Sequence, residues 1–218
     1  MLEYPKGMQP DETESQSLVH LDRGTGREMK RTTHVEYDDA SPEVRAIYDE
    51  VMDTMGTTSV LNFLQALGHN PHALRGVWSM LKETVIEGEI PALLKQLILF
   101  KISTIAGNQY CTKLHGHAAL NLDPTLTYDD LVALSGGACS ANLPPSYSVA
   151  IEIVSRASLQ PKSVDDANWE FEEQLRDEGF SESEIDELLA IGFFSVIMNM
   201  LTDTYDVPWE SPFPPEPS

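Results

Sequence analysis

The chain has 218 residues, enough for one large or two small domains, and 41% of them are hydrophobic, enough for a buried core. Its 35 Asp and Glu against 14 Lys and Arg give a formal charge of −21, which repels phosphate backbones and anionic lipids. The charge therefore predicts that neither nucleic acid nor a membrane is a partner. Two cysteines, Cys111 and Cys139, are too few for a disulfide framework and fit a reducing compartment.

The two ends of the chain differ from its middle. Residues 1–36 are polar and aperiodic, which predicts a flexible N-terminal arm. The helical domain is predicted to span 37–208, and the proline-rich residues 209–218 to form a tail. No apolar run reaches the roughly 20 residues of a membrane span, and the first residues contain no apolar signal core. We therefore expect a soluble, cytoplasmic protein.

Helix signals begin at Ser41, an N-cap followed by proline, after which apolar residues at helical spacing continue to Gly56. A short apolar helix is predicted over 60–67. Asn70, again followed by proline, starts the next helix, whose apolar face reaches Gly88. Because strand-like alternation is nearly absent, the sequence predicts an all-α fold.

Two later helices are predicted to be apolar on most sides. One starts at Pro91, and its 15 to 17 residues suit a buried core helix. The other is the last helix, which starts at the capping box of Ser181 and Glu184. One subunit of 24.2 kDa has limited interior for both, so we expect a homo-oligomer. Between these two helices, shorter ones are predicted after the capping pair Thr127 and Asp130, and over 146–158 and 164–177.

The main candidate for chemistry is the pair Cys111 and His115. On a helix these residues are one turn apart on the same face, with β-carbons about 6 Å apart. A neighbouring imidazolium, or the helix N-terminus expected near Asn108, would stabilise the thiolate and make the sulfur nucleophilic. The alternative is a buried, inert cysteine beside a histidine by chance.

The stretch KQLILFKISTIAGNQYCTKLHGHAALN resembles the core of the AhpD-like alkylhydroperoxidase and carboxymuconolactone decarboxylase superfamily. The pattern of that family is a Glu in an apolar helix, followed by Cys-x-x-Cys-x-x-x-His at the start of the next helix. Here Cys111 matches the second Cys and His115 matches the His, and a looser likeness covers residues 40–208. The resemblance implies an all-α, AhpD-like helical bundle built round a central helical hairpin. It also implies a peroxidase-related oxidoreductase that acts on a hydroperoxide.

Two positions depart from the family pattern. Gln96 stands at the position of the Glu and Asn108 at that of the first Cys. In the complete site two thiols cycle between dithiol and disulfide while the carboxylate and the His relay protons. Without the first Cys no local disulfide forms, and without the Glu no carboxylate charges His115. The predicted roles are Cys111 as nucleophile, His115 as base, and Gln96 and Asn108 as orienting groups. Tyr110 is expected to cap the pocket, donate a hydrogen bond or simply pack.

Three functions stay open at this point. In the first, peroxide oxidises Cys111 to sulfenic acid, which an external thiol or Cys139 resolves. In the second, the protein resembles the decarboxylase branch and acts on a small organic acid, for which only Lys95, Lys101 and Lys113 are available as anchors. In the third, it is a degenerate, non-enzymatic oligomeric member.

We expect no cofactor and no metal. His115 and Cys111 lack a third local zinc ligand because Glu is missing at position 96. His117, two residues past His115, points to a different side of the helix and is expected at the surface or at an interface.

Overall fold

The computed structural model of the protein describes residues 34–137, 143–160 and 171–210. Within those ranges the secondary structure is helical, which confirms the all-α prediction. The helices are α1 Pro42–Met55, α2 Asn62–Gln65, α3 Pro71–Leu81, α4 Ala92–Ala106, α5 Gln109–Leu122, α6 Tyr128–Ser135, α7 Pro145–Leu159, α8 Phe171–Asp177 and α9 Glu182–Thr204.

The predicted helix starts are confirmed by their caps. The Ser41 side chain accepts a hydrogen bond from the Val44 amide at the start of α1, and the Asn70 side chain caps α3 in the same way. Complete capping boxes start α6 and α9, at Thr127 and Ser181. Each cap satisfies amide groups that a helix otherwise leaves unpaired.

Helix α4 is the centre of the bundle, as its apolar sequence predicts. Most of its side chains are buried, and it packs against α5, α7 and α9. It ends at Gly107, whose φ of 75° is a left-handed conformation that glycine adopts without strain. The chain reverses there, so that α4 and α5 form the predicted helical hairpin.

Helix α9 contributes both a core face and an outer face. Its 23 residues are long and apolar enough to cross a membrane by length and composition alone, with a mean hydropathy of 1.5 over the best window. Half of that window is buried, against α4 and α7 among others, as expected of a core helix. Phe193, Ile197 and Met200, however, are between 44% and 66% exposed on the outer face.

Several predicted bounds differ from the structure. The short helix predicted over 60–67 covers only Asn62–Gln65. Beyond α3 the chain widens into a π-helical turn, Lys82–Ile86, before Gly88. The segment 164–170, Cys139, the tail from 211 and the arm up to residue 33 lie outside the described residues.

Candidate active site

The α4–α5 hairpin places four of the five predicted site residues, Gln96, Tyr110, Cys111 and His115, along one cavity. Cys111 lies in the first turn of α5 and His115 one turn later, while Gln96 faces them from α4. Both Cys111 and His115 are buried, with 2% and 9% of their surface exposed. The i, i+4 spacing therefore places both side chains on the cavity side of α5, as predicted.

Gln96 determines which ring nitrogen of His115 carries the proton. Its Oε1 lies 2.8 Å from Nδ1 of His115. Because an amide oxygen only accepts hydrogen bonds, Nδ1 carries the proton and Nε2 is left with a free lone pair. Burial lowers the pKa of His115 to about 3, so the imidazole is neutral at physiological pH.

The surroundings of Cys111 disfavour a thiolate, one of the two states that the sequence left open. Burial, together with the nearby carboxylate of Asp203, raises the pKa of the thiol to about 12. The hydroxyl of Thr202, whose Oγ1 is 3.7 Å from Sγ, acts in the opposite direction. A neutral His115 supplies no positive charge to offset burial. The resting site is therefore a neutral thiol beside a neutral imidazole.

Asn108 replaces the first family cysteine and connects α5 to α9. Its Oδ1 accepts a hydrogen bond of 2.7 Å from the Cys111 amide and so caps α5. Its Nδ2 lies 2.8 Å from Thr202 Oγ1, 2.6 Å from Asp203 Oδ1 and 3.1 Å from the carbonyl oxygen of Asn199. The predicted orienting residue therefore contacts both the backbone of Cys111 and the hydroxyl beside its sulfur.

Tyr110 is the anchor of a segment that follows α9. Its hydroxyl donates to Glu210 Oε1 at 2.8 Å, and the same oxygen accepts from the amide of Asn62 at 2.6 Å. The ring packs edge to face on Trp209, which also stacks on His117. Burial and the adjacent Glu210 carboxylate raise the pKa of Tyr110 well above its usual range. Tyr110 therefore combines both predicted roles, packing and hydrogen bonding.

The cavity has a volume of about 380 Å³ and is lined mainly by apolar side chains. It includes the exposed residues Ile86 and Leu122, so it opens toward solvent beside them. Its polar lining side chains are Gln96, Tyr110, Cys111, His115 and Asn121. A site of this shape binds an apolar molecule and presents a thiol and a hydrogen-bond acceptor to it.

None of the three candidate lysine anchors lines this cavity. Lys95 is paired with Glu187 at 2.5 Å, and Lys101 donates to the carbonyl oxygens of Leu134 and Ser135. Lys113 lies on another face of α5, over the ring of Trp209.

His117 also lies away from the cavity, as predicted from its position on α5. Among the described residues no group of three metal-ligating side chains comes together. Sequence reasoning missed Thr202, Trp209 and Glu210. Each lies about 90 residues or more in sequence from Cys111 and Tyr110 on α5, and no short-range spacing signals its approach.

The fold is similar to that of solved structures of AhpD-like proteins, which confirms the resemblance at the level of the fold. No protein-family model matches the sequence, and no curated protein matches it either.

Three solved structures show the likeness. An uncharacterised peroxidase-related protein with an alkylhydroperoxidase AhpD core, from Ralstonia eutropha JMP134, is 20% identical with a TM-score of 0.65 over 79% of this chain and 88% of its own. A peroxidase-related protein from Silicibacter sp. TM1040 is 20% identical with a TM-score of 0.63, over 84% and 95%. A variant of the debrominase Bmp8 in complex with 2,3,4-tribromopyrrole is 20% identical with a TM-score of 0.66, over 84% and 94%.

Proposed function

We propose that the protein is a peroxidase-related oxidoreductase that reduces an apolar hydroperoxide through the single cysteine Cys111. One observation carries the proposal: Cys111 and His115 face the same apolar cavity, where the hydrogen bond from His115 Nδ1 to Gln96 leaves Nε2 available as a base. The AhpD-like fold supports the same class of chemistry.

The reaction starts from the neutral pair. The Cys111 sulfur attacks the distal peroxide oxygen, an S–O bond forms, and the O–O bond breaks. His115 Nε2 takes the thiol proton and passes it to the departing alkoxide, which leaves as an alcohol. The cysteine is oxidised to sulfenic acid and the hydroperoxide is reduced by two electrons.

The thiol is regenerated by an external thiol reductant. The reductant attacks the sulfenic sulfur, water leaves, and a mixed disulfide forms; a second thiol then releases Cys111 as a thiol. Asn108 stands where the family pattern has its first Cys, and its side-chain amide is hydrogen-bonded to α9. Because this position therefore supplies no thiol, the reductant has to come from outside the hairpin.

The cavity favours neutral, apolar substrates. Among the described residues no lysine, arginine or carboxylate side chain lines it, so a charged substrate would lose its hydration without a partner there. The decarboxylase-like alternative, which needs an anchor for an organic acid, is disfavoured for the same reason. The decarboxylase-like alternative predicts that the protein turns over a small lactone acid. A hydroperoxide reductase should leave that acid unchanged.

A second candidate is reductive dehalogenation of a small halogenated aromatic. The apolar cavity beside a thiol and the structural likeness to the debrominase Bmp8 favour it. Two external thiols would be consumed for each halide released, with the carbon–halogen bond replaced by a carbon–hydrogen bond. Release of bromide from a brominated pyrrole distinguishes this activity from hydroperoxide reduction.

We further propose that the protein acts as a soluble, cytoplasmic homo-oligomer with the outer face of α9 at its interface. Phe193, Ile197 and Met200 form an exposed apolar stripe there, which an isolated subunit leaves in water. Sedimentation velocity tests the assembly. A wild-type monomer at micromolar concentration contradicts it, and Ile197→Glu should dissociate the oligomer.

The deciding experiment is oxidation of the protein by one equivalent of cumene hydroperoxide, followed by trapping of sulfenic acid with dimedone and peptide mass spectrometry. We expect the adduct at Cys111, and a slower reaction in His115→Gln. The variant Ala118→Phe narrows the cavity and should slow the oxidation of Cys111 by cumene hydroperoxide more than its oxidation by the smaller hydrogen peroxide. Absence of a Cys111 adduct in a folded wild-type protein contradicts the proposal and favours the non-enzymatic alternative.

A further inference from the structure

We infer that the hydroxyl of Thr202 is a catalytic group that stabilises the negative charge developing on the Cys111 sulfur. The inference deepens the proposed function, because it assigns the group that assists the thiol of that site. It depends on contacts between α5 and α9 that lie about 90 residues apart in sequence.

Thr202 is buried and its hydroxyl contacts the sulfur directly. Its exposed surface is 3%, and Oγ1 is 3.7 Å from Sγ of Cys111. In the described part of the chain no other side chain forms a hydrogen bond with that sulfur. Thr202 is therefore the neighbour placed to respond when the thiol loses its proton.

The remaining contacts of Oγ1 define which way its hydrogen points at rest. Oγ1 lies 2.9 Å from the Met198 carbonyl oxygen and 3.2 Å from that of Asn199, and these oxygens can only accept. Asn108 Nδ2, 2.8 Å away, can only donate. The hydroxyl hydrogen thus points along α9, and the oxygen is free to accept the thiol hydrogen of Cys111.

Loss of the thiol proton reverses this arrangement. The sulfur becomes an acceptor, and a rotation of the Thr202 hydroxyl about its Cβ–Oγ bond directs the hydrogen to the sulfur. Hydrogen bonds to ionised groups are about twice as strong as those between neutral groups. Asn108 keeps its bond to Oγ1 during the rotation and so holds the oxygen in place.

The surroundings of the sulfur make such a donor important. Burial and the Asp203 carboxylate both disfavour negative charge there, and His115, which burial keeps neutral, does not offset them. A charge that develops in a poorly hydrated site depends on the few dipoles that are already aimed at it.

The test compares Thr202→Val, which keeps the shape and removes the hydroxyl, with Thr202→Ser, which keeps the hydroxyl. Alkylation of Cys111 by iodoacetamide is followed by peptide mass spectrometry between pH 7 and pH 9. Thr104→Val is the matched control, because the Thr104 hydroxyl donates to a backbone carbonyl of its own helix, as Thr202 does, but lies on α4 and forms no hydrogen bond with the sulfur. Circular dichroism verifies folding.

We expect alkylation of Thr202→Val to be about tenfold slower than wild type, the effect of losing one hydrogen bond to a charged group. Thr202→Ser should keep most of the wild-type rate, and Thr104→Val all of it. If Thr202 had only a structural role, Cys111 in Thr202→Val would be alkylated faster than in wild type, because looser packing exposes a buried thiol. A wild-type or faster rate in folded Thr202→Val would overturn the inference.

The outcome is independent of peroxidase activity. If wild-type Cys111 is alkylated but never oxidised by hydroperoxide, the proposed function fails while the role of Thr202 is still measured. If oxidation occurs and Thr202→Val alkylates normally, the inference fails and the proposed function stands.

Discussion

Gln96 Oε1 and His115 Nδ1 lie 2.8 Å apart, and this contact fixes the imidazole proton on Nδ1, while burial keeps the ring neutral. A carboxylate at position 96 would attract a proton onto the imidazole, whereas an amide only fixes which nitrogen carries the existing one. Gln96 therefore hydrogen-bonds to His115 without supplying the negative charge that a Glu at this position would bring.

Replacing Gln96 by Glu should restore an ionisable partner for His115. We expect the pKa of His115 to rise by about 1 to 3 pH units, because an opposite charge within hydrogen-bonding distance favours the imidazolium. NMR titration of the His115 ring measures the change. Gln109→Glu adds the same charge on the exposed side of α5 and should have little effect. An unchanged titration in a folded Gln96→Glu would contradict the assigned contact.

Asn108→Ala should destabilise the protein more than an ordinary loss of a helix cap. The cap alone is worth about 1 kcal/mol, and the buried amide bonds to α9 add about 1 to 3 kcal/mol. Asn70→Ala is the matched control, since Asn70 caps α3 on the surface. Urea unfolding measures both. Equal losses would show that the contacts of Asn108 with α9 contribute nothing to stability.

The buried pair of Lys95 and Glu187 should be important for stability. Glu187 also accepts from the amides of Glu89 and Ile90, so it ties the start of α4 to α9. Glu187→Gln leaves the ammonium buried without a counter-charge, and we expect a loss of about 3 to 5 kcal/mol. Glu50→Gln breaks the more exposed pairs with Arg75 and Lys82 and should cost at most about 1 kcal/mol. Similar unfolding free energies for the two variants would refute this.

The neutral state of His115 predicts a pH dependence of stability. Its pKa is about 3 in the folded protein and about 6.5 when unfolded. The unfolded chain therefore binds the extra proton as pH falls below 6.5, and stability is lost in that direction. Between pH 7 and pH 5.5 wild type should lose about 1 kcal/mol more than His115→Gln. From pH 7 to pH 8 the free energies of unfolding of wild type and His115→Gln should change in parallel. If they also change in parallel below pH 6.5, His115 is hydrated and the assigned burial is contradicted.

Local sequence signals predicted the helices and the hairpin because caps and apolar spacing act within a few residues. Ser41, Asn70 and Ser181 each accept bonds from amides two or three residues later. The i, i+4 spacing of Cys111 and His115 likewise placed both on one face.

The protonation of Cys111 and His115 was not predictable from local sequence signals. The sequence left open whether Cys111 is a thiolate or a buried, inert thiol, because the burial that raises the pKa of the sulfur is set by helices distant in sequence. Thr202 and Glu210 reach the hairpin only through tertiary packing. The bond between Gln96 and His115 was foreseeable in position, but its consequence for charge required the burial that the structure shows.

The central claim, that a neutral thiol and a neutral imidazole act together, is tested by the rate constant for oxidation of Cys111 by cumene hydroperoxide between pH 6 and pH 8.5. Neither group titrates in that range, and the proton passes internally from sulfur to His115 to alkoxide. We predict a rate that is nearly constant with pH. A tenfold rise per pH unit, or a step centred in this range, would show that a solvent-titrated thiolate or imidazolium carries the reaction and would contradict the account.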